Sequence, residues 1–146
     1  MPIYFYRERD NPYGCFSNFS PHGFELDGQF WPTSEHYFQA QKFAETPHVE
    51  TVRLASKPMD AANLGRDRSL PLRPDWDAVK DDAMRRAVRA KFDAHADIRA
   101  VLLGTGEEYL IENALSDYYW GCGADRTGKN MLGRILMETR DALRKG

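Results

Sequence analysis

The 146 residues carry 20 Lys and Arg against 22 Asp and Glu, a formal net charge of −2. That balance excludes broad attachment to nucleic acid or to an anionic membrane, both of which need a basic face. Two cysteines, Cys15 and Cys122, are too few for a disulfide framework or a four-thiolate zinc site.

The opening MPIYFYRERD lacks the cationic-then-apolar pattern of a signal peptide, and no apolar run approaches membrane length. The expectation is one cytoplasmic domain over residues 1–146. Residues 3–6 (IYFY) and 24–31 (FELDGQFW) read as short strands, the second turning as a hairpin at Asp27-Gly28. Pro32, Thr33 and Ser34 start a helix that should run to about Glu45. Pro47 and Pro58 each open a further short helix, the second closing at Gly65. Asp75 precedes the longest periodic segment, where Trp76, Val79, Ala83, Ala87 and Val88 share one stripe that continues to Phe92. A helix over 97–103 stops at Gly104, and Thr105 with Glu108 stand at capping-box spacing. The last helix begins near Asn130 and carries Leu132, Ile135, Leu136 and Leu143. The predicted fold is mainly α, a compact helical domain with a small N-terminal β element.

The chemistry gathers in PTSEHYFQAQKF, residues 32–43. On a helix Glu35, Gln39 and Lys42 follow one another at spacings of four and three, which stacks them on one face. Tyr37, Phe38 and Phe43 point elsewhere and supply packing. A carboxylate, an amide and an amine wedged among aromatics either pair with one another or line a cleft. Glu35 also suits the positive end of the helix dipole, which is the purely structural alternative.

Other segments offer groups of the same kind. CFSNF places Ser17 and Asn18 between Phe16 and Phe19, where Asn18 also suits a turn cap. LGRDRS puts Arg66 and Arg68 just beyond a helix end, suited to a phosphate or to nearby carboxylates. SDYYWGCGADRTGKN carries Asp117, a second candidate carboxylate, and Trp120, whose ring must either enter the core or stack on a ligand. Gly123 to Lys129 fits G-x-x-x-x-G-K, but Asn130 stands where a phosphate-binding loop needs Ser or Thr for magnesium. This reads as a glycine-rich helix start able to bind an anion, with no NTPase assignment. His22, His36, His48 and His95 show no metal-ligand pairing, and no G-x-S-x-G elbow is present.

Taken together, FSNF (16–19), WPTSEHYFQAQKF (31–43), LGRDRS (64–69), YWGCG (119–123) and GKNMLGRILM (128–137) resemble the YbiA/NADAR family, in order and across nearly the whole chain. The resemblance implies a mainly helical enzyme that hydrolyses N-glycosidic bonds. Family substrates include ribosylamino-pyrimidine phosphates, early riboflavin-pathway intermediates. Other members remove ADP-ribose from the guanine amino group of nucleic acid, and a non-catalytic ADP-ribose or nucleotide module is a further alternative. Both substrate classes join ribose C1 to an exocyclic amine. Such a bond breaks either through an oxocarbenium-like state with attack by water, or through ring opening and a lysine Schiff base. In this reading Glu35 or Asp117 is the acid/base, and Lys42 is the nucleophile or electrostatic partner. Phe16, Ser17, Asn18 and Trp120 hold base and ribose, and Gln39 and Gly121 are further substrate-binding candidates. Arg66, Arg68 and the helix start at Asn130 receive phosphate. Glu35, Lys42, Asp117 and Trp120 are expected to border one pocket. The partner is a small ribosyl-phosphate or ADP-ribosyl substrate, with nucleic acid entering only as a modified substrate and no membrane. Hydrolysis of this bond implies no cofactor and no obligatory metal.

Overall fold

The computed structural model describes residues 1–146 and is mainly helical, with four short strands. Its contacts gather into two units, one formed by Pro21–Ala94 and the other by Met1–Ser20 with His95–Gly146.

In the Pro21–Ala94 unit, β2 (Phe24–Leu26) and β3 (Gln29–Trp31) pair antiparallel with Phe24 opposite Trp31. Asp27 and Gly28 both take positive φ, 55° and 77°, as the tight hairpin turn expected from their sequence requires. The Trp31 indole N–H donates to the Leu26 carbonyl at 2.9 Å and locks the hairpin against itself. Four helices follow: α1 (Ser34–Gln41), α2 (His48–Arg53), α3 (Pro58–Gly65) and α4 (Trp76–Ala94). Thr33 caps α1 by accepting from the His36 amide at 3.1 Å, and Pro58 occupies the first turn of α3. Phe24, Trp31, Tyr37, Ala40, Phe43 and Ala87 close the core of this unit. Trp31 meets Tyr37 edge to face with ring centres 5.1 Å apart.

Helix α1 ends about four residues earlier than its sequence suggests. Phe43 bonds back to the Ala40 carbonyl at 3.0 Å, tightening the turn, and Glu45 takes φ of 68°, which reverses the chain. The Lys42 carbonyl instead accepts from the Arg73 amide at 2.9 Å. A distant segment therefore terminates the helix.

In the other unit, β1 (Ile3–Phe5) runs parallel to β4 (Leu110–Glu112), with a short 3-10 turn at Tyr13–Phe16 and helices α5 (Ala96–Gly104) and α6 (Met131–Arg144). The Thr105–Glu108 spacing does not start a helix. The Thr105 hydroxyl turns back to the Leu102 carbonyl at 2.6 Å, and the Glu108 carboxylate takes the N-terminal ammonium of Met1 at 2.8 Å. With both side chains engaged elsewhere, no amide is capped and the chain continues into β4. Helix α6 buries Leu132, Ile135 and Leu136 on one stripe, as its periodicity predicts. No helix is long and apolar enough to cross a membrane.

Candidate active site

Every residue from Ser34 to Ala40 is buried, so the polar stripe of α1 is not a solvated face. Glu35 is 9% exposed and Gln39 6%. Within the stripe, the Gln39 amide donates to the Glu35 carboxylate at 2.7 Å. One helical turn beyond, the half-buried Lys42 ammonium donates to the Gly65 carbonyl at 3.2 Å. Glu35 and Gln39 thus pair with one another, while Lys42 bonds to the end of α3.

The Lys42 surroundings are apolar as well as polar. Its Nζ lies 6.0 Å from the Phe38 ring centre and 5.8 Å from that of Trp76. Phe38 and Trp76 themselves meet with centres 5.1 Å apart. Burial pushes the Lys42 amine below its ordinary range, and the charges of Arg66 and Arg68 add to this, while Glu35 opposes it. Both arginines are exposed at the end of α3, where Arg66 holds the Asn63 side chain at 2.8 Å.

The sequence marks Trp76 only as part of a core stripe. It stands at the first residue of α4, directly after Pro74 and Asp75, and its ring covers the lysine. A bulky ring at a helix end, where a core stripe is least able to enclose it, was the available signal. Gly65, too, is read from sequence only as a helix stop.

His36 is a structural residue. Its Nε2–H reaches the Ala55 carbonyl at 2.9 Å, which leaves Nδ1 to accept from the Thr33 hydroxyl at 2.8 Å. Burial holds this imidazole below its ordinary value of 6.5, against the opposing pull of the Ala55 carbonyl and Asp60. The unfolded chain therefore takes up the proton first as pH falls. Stability contributed by neutral His36 is full above about 6.5 and is lost as pH drops towards the lowered folded value, each unit between them costing about 1.4 kcal/mol. Urea midpoints at pH 7.5 and 5.5 should show this loss in wild type and a smaller one in His36→Asn. Equal losses in both proteins would remove His36 as the cause.

The remaining expected site residues lie in the other unit. Asp117 accepts from the amides of Tyr119 at 3.0 Å and Trp120 at 2.8 Å, so its carboxylate shapes the turn that carries Trp120. The half-buried Trp120 meets Tyr119 edge to face at 4.9 Å. Gly121 is buried, and a Cβ there would come within 2.7 Å of the Ala114 Cβ. Asn130 takes φ of 53°, accepts from the Glu112 amide at 2.9 Å and donates to the Leu110 carbonyl at 2.9 Å. Its side chain ties α6 to β4. Phe16 is buried, edge-on to Phe5 and stacked on Tyr13. Ser17 Oγ accepts from the Phe19 amide at 3.1 Å, and Asn18 is half-buried.

The anion-binding expectation for the start of α6 meets a specific obstacle. The amides of Lys129, Asn130, Met131 and Leu132 donate to the carbonyls of Tyr118, Gly121, Tyr119 and Trp120. The preceding loop folds over the helix end and engages the donors that an anion would need. This unit also holds a shallow cleft of about 200 Å³ lined by Tyr4, Tyr6, Asp10, Asn11, Tyr13 and Asn113 among others. No group of three or more His, Cys, Asp and Glu side chains gathers to hold a metal ion.

A mainly helical fold carrying this acid–amide–amine stripe belongs to the NADAR domain family, which matches residues 4–144. The chain is 52% identical to the N-glycosidase YbiA of Escherichia coli (strain K12), over 97% of its own length and 88% of that protein. It is 41% identical to a riboflavin biosynthesis protein of Vibrio vulnificus, where it spans 99% of itself and 39% of the relative. The NMR structure of E. coli YbiA superposes with a TM-score of 0.91 at 51% identity, covering 99% of this chain and 86% of that one.

Proposed function

We propose that the chain is an N-glycosidase that cleaves the bond between ribose C1 and an exocyclic amine, with ribosylamino-pyrimidine phosphates of early riboflavin synthesis as substrates. The observation that carries the chemistry is the half-buried Lys42 amine, set against the Phe38 and Trp76 rings on the same helical stripe as Glu35. Similarity to a protein named N-glycosidase and to another named for riboflavin biosynthesis supports the bond and the substrate class. A phosphate ester of this kind is ionised and crosses no apolar barrier, so the enzyme acts where the ester is made, in the cytoplasm.

The reaction starts from the nitrogen lone pair. It expels the ring oxygen from C1 while Glu35 protonates that oxygen, leaving an open-chain iminium. Neutral Lys42 adds to C1. The Glu35 carboxylate moves a proton from the Lys42 nitrogen to the pyrimidine nitrogen, which leaves as the free amine. A Lys42–ribose imine remains, and water adds to C1, passing a proton through Glu35 to Lys42. The C1 hydroxyl then gives its proton to the Glu35 carboxylate as the bond from C1 to the Lys42 nitrogen breaks, releasing ribose 5-phosphate and restoring the free amine and the acid, with one water consumed overall and the bond from C1 to the pyrimidine amine hydrolysed.

Arg66 and Arg68 are assigned to the phosphate, because their charge is already felt at Lys42. The Asp117 carboxylate, bonded to the amides of Tyr119 and Trp120, shapes the turn that bears Trp120. Incubation with a ribosylamino-pyrimidine phosphate is expected to release ribose 5-phosphate and the aminopyrimidine in equal amounts. Tight binding without release would make the chain a binding module.

A further inference from the structure

Helix α3 ends on Gly65, and the Gln39 side chain of α1 lies directly against it. A Cβ added at Gly65 would come within 2.6 Å of Gln39 Cδ and 3.3 Å of Gln39 Cβ, and closer still to Oε1. Real Cβ atoms do not approach a neighbour this closely, so the amide would have to move. Glycine is required here by the neighbour it faces, since Gly65 is not among the glycines with positive φ.

What the amide does in that space links Gly65 to the proposed chemistry. Its N–H₂ group donates to Glu35 at 2.7 Å, whereas its buried oxygen has no hydrogen-bond partner. Only one end of the amide is held by a hydrogen bond. The other end is held by packing, and the packing surface is the bare Cα of Gly65. A buried acceptor without a partner costs free energy, so the arrangement persists because its surroundings impose it.

We propose that Gly65 is a positioning residue for the reaction: its missing side chain creates the slot that aims the Gln39 amide at the Glu35 carboxylate. This rests on the reading of Glu35 as the acid/base group. Gly65 acts through Gln39 alone, because its carbonyl, which takes the Lys42 ammonium, survives any side-chain substitution.

The test is a double-mutant cycle of wild type, Gly65→Ala, Gln39→Ala and the double variant, with kcat and KM measured on a ribosylamino-pyrimidine phosphate. Gly65→Ala should lower kcat by about 10–100-fold with little change in KM, since a misplacement of about 1 Å in a catalytic constellation costs on the order of 10²-fold. Gln39→Ala should give a loss of similar size. The double variant should match Gln39→Ala, because the new methyl occupies the room that the amide vacates. A residue acting only on general stability would instead give losses that multiply.

Wild-type kcat in Gly65→Ala, or multiplied losses in the double variant, would overturn the proposal. Should Gly65→Ala fail to fold, the double variant is expected to fold, since the overlap is relieved there; its failure to fold also counts against the idea. A readout without turnover separates this from the reading of the reaction. The Gln39 side-chain amide protons should exchange slowly in wild type and fast in Gly65→Ala by NMR. Equal protection in both sinks the positioning role, whereas a wild type that releases no ribose 5-phosphate sinks the reaction.

Discussion

Lys42→Met is expected to keep the fold and to lower kcat by about 10³-fold or more, the scale seen when a covalent nucleophile is removed. The side chain is half-buried, and its cation makes one hydrogen bond to a backbone carbonyl, so an apolar replacement of similar length removes a desolvated charge. Stability should hold or rise. The mechanistic signature is an adduct: borohydride added during turnover should reduce the Lys42–ribose imine to a stable amine. Mass spectrometry then finds the added mass on the peptide that contains Lys42. Absence of the adduct, together with substantial turnover by Lys42→Met, would leave Glu35 and water as the reacting groups.

Glu35→Gln is expected to fold normally and lose about 10²–10⁴ in kcat, the range for a positioned acid or base. Gln keeps the volume and can still meet the Gln39 amide, which limits the structural damage. The change also reaches Lys42, because Glu35 is the charge that raises its pKa against burial. With the carboxylate gone the amine is neutral at lower pH. The limb of the kcat profile that reports the free amine rises with pH in wild type, and should move to lower pH in the variant. A limb left where it was would mean that the carboxylate and amine do not sense one another. Near-normal turnover would move the acid/base role away from Glu35.

The Asp27-Gly28 hairpin, the proline-led starts of α2 and α3, and the stripes of α4 and α6 were legible because each depends on neighbours within a few positions. Backbone dihedral preferences and the 3.6-residue period are local quantities. Strand β4 was not legible: its pairing with β1 joins residues more than a hundred positions apart, and nothing within LIE demands a strand. The capping-box reading of Thr105 failed for the same reason, since its hydroxyl also accepts from Arg140 and the Glu108 carboxylate takes the Met1 ammonium, both distant in the chain.

The polar stripe of α1 divides in the same way. Helical spacing placed Glu35, Gln39 and Lys42 on one face, and that followed from the sequence by geometry alone. Spacing carries no information on dielectric or on distant partners. The folded chain brings Gly65, Arg66, Arg68 and Trp76 around Lys42, and burial with the two arginines lowers the pKa of its amine. It also closes the start of α6 with the carbonyls of residues 118–121, removing an anion site that the glycine pattern had suggested. Local order in this protein is written in short-range pattern. The lowered pKa of Lys42 comes from burial, because the energy of a charge depends on everything packed around it.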